Sequence, residues 1–202
     1  MGTPLTPYNT GESKKQQVAT MFNNVAGTYD FLNHFFSVGI DKLWRRKLVK
    51  LIGVTNPKLI LDVATGTADL AIAETRLNPE KIIGVDISEK MLNVGREKIK
   101  SYPNIELQLG DSENLQFPDN TFDAVSVAFG VRNFENVTVG LSEMRRKRYH
   151  FGIHLAVGLG DFKVKQNEAF GLSDSILSIK SKYGMGFEIG ALMSYHINKY
   201  LE

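Results

Sequence analysis

Two carboxylates 24 residues apart frame the stretch of this sequence best suited to hold a ligand. Asp62 lies in the apolar run LILDV and is followed by a loop of small residues, Ala64, Thr65, Gly66, Thr67 and Ala68. Asp86 closes a second apolar run, KIIGVD, where a carboxylate can accept both hydroxyls of a ribose. A small-residue loop lets backbone approach a ligand closely, although many strand-to-helix turns use glycine for geometry alone. With the acid at this distance, the pair points to a ligand containing a nucleoside. Charge then selects among such ligands. A dinucleotide sets its diphosphate against a helix N-terminus, and Asp69 beside this loop would repel it. S-adenosyl-L-methionine has no phosphate and carries a sulfonium and an ammonium, which Asp62 and Asp69 would attract. Asp111 and Ser112 in LGDSENLQF are placed to hydrogen-bond an adenine; otherwise Asp111 simply starts a turn.

These residues need a scaffold that gathers distant loops at one edge. Val18, Met21, Phe22 and Val25 recur at helical spacing, as do Trp44, Leu48, Leu51 and Ile52, so helices precede any strand. The sequence then alternates strand and helix. A strand over 59–63 leads through the loop to a helix over 69–77, KIIGVDI forms a second strand, and Ser88 caps a helix running to Ile99. NIELQLGD and FDAVSVAFG follow as third and fourth strands. Such alternation predicts an α/β fold with a parallel sheet and right-handed crossovers, whose ligands sit beyond the carboxyl ends of the strands. The ligand-suited residues all fall on that edge.

The 202 residues, 43% of them hydrophobic, suffice for one core and a short appendage, which excludes disorder as the overall state. With no cysteine, neither disulfide nor thiolate chemistry is available. A net charge of +2 is too small for a nucleic-acid footprint. His34 has no ligand partner nearby, so no metal site is expected. The N-terminus lacks a basic segment followed by an apolar one, and no run approaches the roughly 18 apolar residues of a membrane helix. The expected location is the cytoplasm.

Several stretches in order resemble the S-adenosylmethionine-dependent C-methyltransferases of menaquinone and ubiquinone synthesis. They are VATMFNNVAGTYDFLNHFFSVGIDKLWRR, LDVATGTADL, GVDISEKML, GDSENLQFPDNTFD and FGVRNF, spanning about residues 14–146. The resemblance implies a Rossmann-like class I methyltransferase fold and puts Thr67, Asp86, Asp111 and Ser112 on cofactor positions, with Asp62 and Gly66 in the same loop region. Ala128 falls where some relatives have serine. The implied reaction converts demethylmenaquinol to menaquinol by methylating a ring carbon of a prenylated hydroquinone. Another small-molecule methyltransferase is the nearest alternative.

A ring carbon becomes nucleophilic when an adjacent phenol loses its proton, so such an enzyme must stabilise a phenolate. Arg132, just after the fourth strand, carries a fixed cation suited to that oxyanion, and Asn133 could orient the same oxygen. The alternative for Arg132 is a pair with a surface carboxylate. Tyr29 and Asn33 belong to the N-terminal signature and are the expected substrate contacts. Tyr29, Phe31, Phe35 and Phe36 either line a lid over the prenylated quinol or pack in the core. Through that substrate the protein would touch the inner membrane peripherally.

The family pattern stops after SEMRR. Residues 1–146 hold 17 basic and 17 acidic residues, while residues 147–202 hold 7 and 5, together with 7 of the 18 glycines. Apolar residues alternate with small or polar ones over 151–160 and again over 177–197. This tail resembles the opening strands of a bacterial outer-membrane β-barrel protein, and its periodicity equally suits a soluble antiparallel hairpin. The sequence therefore predicts a truncated methyltransferase domain over 1–146, with parallel strands one to four, and a β-rich tail of different origin over 147–202. An inactive cofactor-binding fragment carrying a barrel remnant is the competing outcome. Without strands five to seven, the fourth strand would be an open edge prone to association. The basic run Arg145, Arg146, Lys147, Arg148 reads as the end of a helix, where cations oppose the dipole.

Overall fold

The computed structural model describes residues 7–8, 11–37, 40–148, 155–159 and 189–191. Helix α1, Lys14–Ser37, opens on a reciprocal cap: Gln16 N–H donates to Ser13 Oγ at 3.2 Å and Ser13 N–H to Gln16 Oε1 at 3.1 Å. Helix α2, Ile40–Ile52, follows. Strand β1, Leu59–Val63, then turns through the small-residue loop into α3, Asp69–Glu74. Strand β2, Lys81–Asp86, leads to α4, Glu89–Lys98, whose N-cap Ser88 accepts from Met91 N–H as its sequence position predicts. Strands β3, Ile105–Leu109, and β4, Ala124–Ala128, complete the expected set. Helix α5, Val137–Lys147, is capped by Asn136.

The strands lie in the order β3-β2-β1-β4, all parallel. Strand β1 is central and the order reverses between it and β4, the point at which such sheets open a crevice. Alternate residues feed two cores. Ile60, Ile82, Leu107 and Ala124 meet Leu48, Val49 and Ile52 of α2 and Leu70 and Leu92 of α3 and α4. Leu61, Val63, Ile83, Val85, Val125 and Val127 face Phe122, Phe134 and Met144 on the other side. Helices thus cover both faces of an α/β, Rossmann-like sheet, as expected.

The tail departs from the four-strand expectation. Strand β5, Leu155–Leu159, pairs parallel to β4, and β6, Ile189–Ala191, pairs antiparallel to β5. The antiparallel pairing anticipated in the tail is present, but its first strand extends the parallel sheet and covers the β4 edge that was expected to be open. Alternating apolar and small residues suit either direction of pairing, and α5 supplies the crossover that a parallel strand needs. The remaining tail positions, including most of both alternating stretches, lie outside the described residues. A boundary at 146/147 falls within the last turn of α5. Lys147 O accepts from Thr121 N–H and Phe122 N–H, both at 2.9 Å, and Arg148 bridges to Phe122.

Candidate active site

An open cleft lies over the carboxyl ends of β1, β2, β3 and β4. On its β1 side, the loop adopts left-handed backbone at three positions, Ala64 (φ 55°), Gly66 (φ 58°) and Ala68 (φ 66°). Only Gly66 takes that conformation without a steric cost, and a methyl there would press on Met91 Cε at 3.2 Å. This tight loop turns the Gly66 N–H onto Asp86 Oδ2 at 2.8 Å, while Ser88 N–H donates to Oδ1 at 2.8 Å. Asp86 is thereby aimed from the end of β2 into the cleft. Burial raises its carboxyl pKa, and the two N–H groups oppose that rise.

Asp111 and Ser112, after β3, also line the cleft. Asp111 Oδ1 accepts from Glu113 N–H at 2.9 Å, and Glu113 Oε1 in turn accepts from the N–H groups of Glu135 and Asn136 at 2.7 and 3.0 Å. The loops after β3 and β4 are thus joined. Arg132 and Asn133 lie in the short 3-10 turn Val131–Asn133 after β4, and both face the cleft. No ion pair of the Arg132 guanidinium is present among the described residues, so the surface-pairing alternative is not what the structure shows. Tyr29 enters from α1. Burial raises its phenol pKa, and the positive charge of Arg132 pulls it the other way.

Three expected site residues do not line the cleft. Asp62 is buried beneath the loop, accepting from Thr65 Oγ1 at 2.6 Å and Ser126 Oγ at 3.4 Å, and burial pushes its carboxyl up to about 7. Thr67 is buried and donates to Asp30 Oδ1 at 2.5 Å. Asn33 is half-buried on α1 and away from the cleft lining. Asp69 is also committed elsewhere, to Arg45 at 2.8 Å and to Lys98. The attraction for a cation expected of Asp62 and Asp69 therefore comes from other carboxylates. Asp86, Asp111, Glu113 and Glu135 line the cleft against two cations, Lys15 and Arg132.

Sequence reasoning expected Tyr29 and Asn33 of α1 at the site but missed what the rest of the helix does there. Lys14 Nζ donates to Phe134 O at 2.6 Å and Arg132 O at 3.3 Å; Lys15 Nζ reaches Asp111 at 2.5 Å. Ser88 Oγ donates to Asn23 Oδ1 at 2.8 Å, and Lys98 Nζ to Asp30 Oδ2 at 2.9 Å. One helix thus ties down the loops after all four strands. The signal was available: Lys15, Phe22 and Tyr29 recur every seven residues and share the face that lines the cleft.

The model of the ubiE/COQ5 methyltransferase family matches residues 10–170. The chain belongs to this family. A demethylmenaquinone methyltransferase from Bacteroides fragilis is 51% identical over 146 residues, covering 70% of this chain and 60% of the relative. One from Porphyromonas gingivalis is 47% identical over 147 residues with the same coverage. A ubiquinone/menaquinone biosynthesis C-methyltransferase from Geobacter sulfurreducens is 43% identical, covering 57% of its length. The chain spans about 60% of the length of these curated relatives. Among solved structures, a methyltransferase dependent on S-adenosylmethionine from Aquifex aeolicus aligns with TM-score 0.54 at 20% identity, over 68% of this chain and 81% of that one. The [4+2]-cyclase SpnF aligns with TM-score 0.62 at 20% identity, over 76% and 62%. Both establish the ubiE/COQ5 chain's fold. No metal-binding cluster and no helix long and apolar enough to cross a membrane occur among the described residues.

Proposed function

We propose that the chain is an S-adenosylmethionine-dependent C-methyltransferase of quinone synthesis that converts demethylmenaquinol to menaquinol. The observation that carries this reading is the cleft itself, which Asp86, held by two backbone N–H groups, lines together with Arg132 and Tyr29. The residues fit the cofactor. Asp86 offers a carboxylate to ribose hydroxyls, Asp111 and Ser112 offer polar groups to an adenine, Val85, Ile87 and Met91 offer it apolar surface, and the excess of carboxylates suits a cation. When bound, S-adenosylmethionine supplies an electrophilic methyl, which is released to the ring carbon as its bond to sulfur breaks and a neutral thioether remains.

The chain's own residues prepare the other reactant. Arg132 stabilises the phenolate and lowers the pKa of the phenol from which it forms, and Asn133 orients the same oxygen. Tyr29 and the apolar face of α1 exclude water above the ring. After methylation, the proton displaced from the ring carbon leaves to solvent and aromaticity returns. The prenyl chain brings the protein to the inner membrane from the cytoplasm, with no part for nucleic acid.

The competing reading is an inactive cofactor-binding fragment. In both readings the methyltransferase part includes Lys147 and Arg148, which are bonded to residues 121 and 122, and the family match extends to residue 170. Calorimetric titration with S-adenosylmethionine, followed by a methyl-transfer assay on demethylmenaquinol, separates the readings. Binding with turnover supports the enzyme, binding without turnover supports the fragment, and absence of binding removes both. Asp86→Ala is expected to abolish the binding.

A further inference from the structure

Helix α2 presents an unusual face. Lys42, Leu43, Arg46, Lys47 and Lys50 are all exposed and recur at intervals of three and four, which places them on one side of the helix. The opposite side, Leu48, Val49 and Ile52, is buried in the core. Elsewhere on the surface several cations meet acids: Lys81 with Glu106, Arg96 with Glu89 and Lys100 with Glu97. On this face none of the four cations has a carboxylate partner among the described residues; Lys47 lies over the Trp44 ring at 5.4 Å. The nearby acids are committed inward, Asp41 to Arg45 and Asp69 to Arg45 and Lys98. One large apolar side chain accompanies the charges: Leu43 is 62% exposed.

We propose that the exposed face of α2, with Leu43, is a docking surface for an anionic phospholipid bilayer. Charge complementarity selects this occupant: four cations on one face, without carboxylate partners among the described residues and with Leu43 exposed between them, match a negative lipid surface with shallow apolar depth. The buried Leu48, Val49 and Ile52 exclude insertion of the helix as a whole, so the contact is a reversible adsorption. The proposal deepens the reading of a prenylated quinol as substrate, and rests on it for its purpose, because docking would hold the protein at the membrane that dissolves the prenyl chain.

Adsorption itself needs neither cofactor nor quinol, so it is tested apart from catalysis. The full chain is sedimented with vesicles of phosphatidylcholine containing one quarter phosphatidylglycerol, and with vesicles of phosphatidylcholine alone. The expected result is binding to the first only, reduced by on the order of 100-fold in K42Q/R46Q/K47Q/K50Q and retained in K42R/K47R/K50R. Leu43→Ser should weaken binding while keeping its dependence on anionic lipid. Equal binding to neutral vesicles, no binding to anionic ones, or full binding by the quadruple glutamine variant would overturn the proposal. Retention on duplex DNA in preference to anionic vesicles would also overturn it. If the quadruple variant loses its far-ultraviolet circular dichroism, a salt titration of the unaltered chain replaces it, and adsorption that does not weaken with rising salt rejects the docking surface.

Discussion

Lys15 Nζ on α1 lies 2.5 Å from Asp111 Oδ2, so the first helix is pinned to the loop after β3 inside the cleft. Asp111 raises the pKa of the Lys15 ammonium, and partial burial opposes it, so the lysine is charged throughout the neutral range. Lys15→Gln removes the ionic tie while keeping the length. Calorimetry should show S-adenosylmethionine affinity weakened by about 3- to 10-fold, with Lys15→Arg close to the original. Tighter binding by Lys15→Gln would mean that the lysine blocks Asp111 rather than closing the site.

Glu74 is completely buried, with no hydrogen-bond partner for either carboxylate oxygen among the described residues. Burial raises its pKa well above the ordinary value, and the charge of Asp62 adds to the rise. The protonated form is therefore favoured by the fold. The stability due to protonated Asp62 and Glu74 is fully present below the ordinary carboxylate pKa of about 4. It is lost as pH rises through the folded value, about 7 for Asp62. Glu74→Gln should raise stability at neutral pH by roughly 1–3 kcal/mol and flatten that decline, measured by urea denaturation across pH. A decline as steep as the original would reject the assignment.

A methyl group built at Gly130 would overlap the Cβ of Ala64, because the loops after β1 and β4 touch there. Gly130→Ala should destabilise by about 1–3 kcal/mol. Ala64→Gly removes both the opposing methyl and the left-handed strain at φ 55°, so the double variant should recover most of the loss. Additive losses in thermal unfolding of the four chains would show that the loops do not meet.

Arg132 can act on a phenolate without contributing to cofactor affinity. Arg132→Gln should lower kcat for demethylmenaquinol by about 100- to 1000-fold while changing S-adenosylmethionine affinity by less than about 3-fold. Arg132→Lys should fall between. A loss confined to KM would assign the residue to substrate binding alone.

Local signals carried most of the fold. Ser88 caps α4 because a hydroxyl before a helix satisfies an orphan N–H, and LILDV and KIIGVD form buried strands because each holds a short apolar run. Asp86, Asp111, Ser112, Arg132 and Asn133 were legible because parallel sheets gather loops at one edge. Asp62 and Thr67 were legible only as members of the loop. Which side of that loop they face depends on Ala64 and Ala68 entering left-handed backbone, a conformation that alanine does not advertise. Lys15 and Asp30 were obscured because their partners, Asp111 and Lys98, are 96 and 68 residues away. The parallel direction of β5 was hidden for another reason, since period-two alternation carries no sign of strand direction.

The grip of Lys147 on residues 121 and 122 has a consequence for biogenesis. The backbone amides that precede β4 find their acceptor 26 and 25 residues later in the chain, at the last position of α5. On the ribosome β4 therefore emerges before its starting point can be set. The order of synthesis and the order of assembly part company there, and a nascent chain halted before Lys147 would expose the lower end of β4 to whatever chaperone is near.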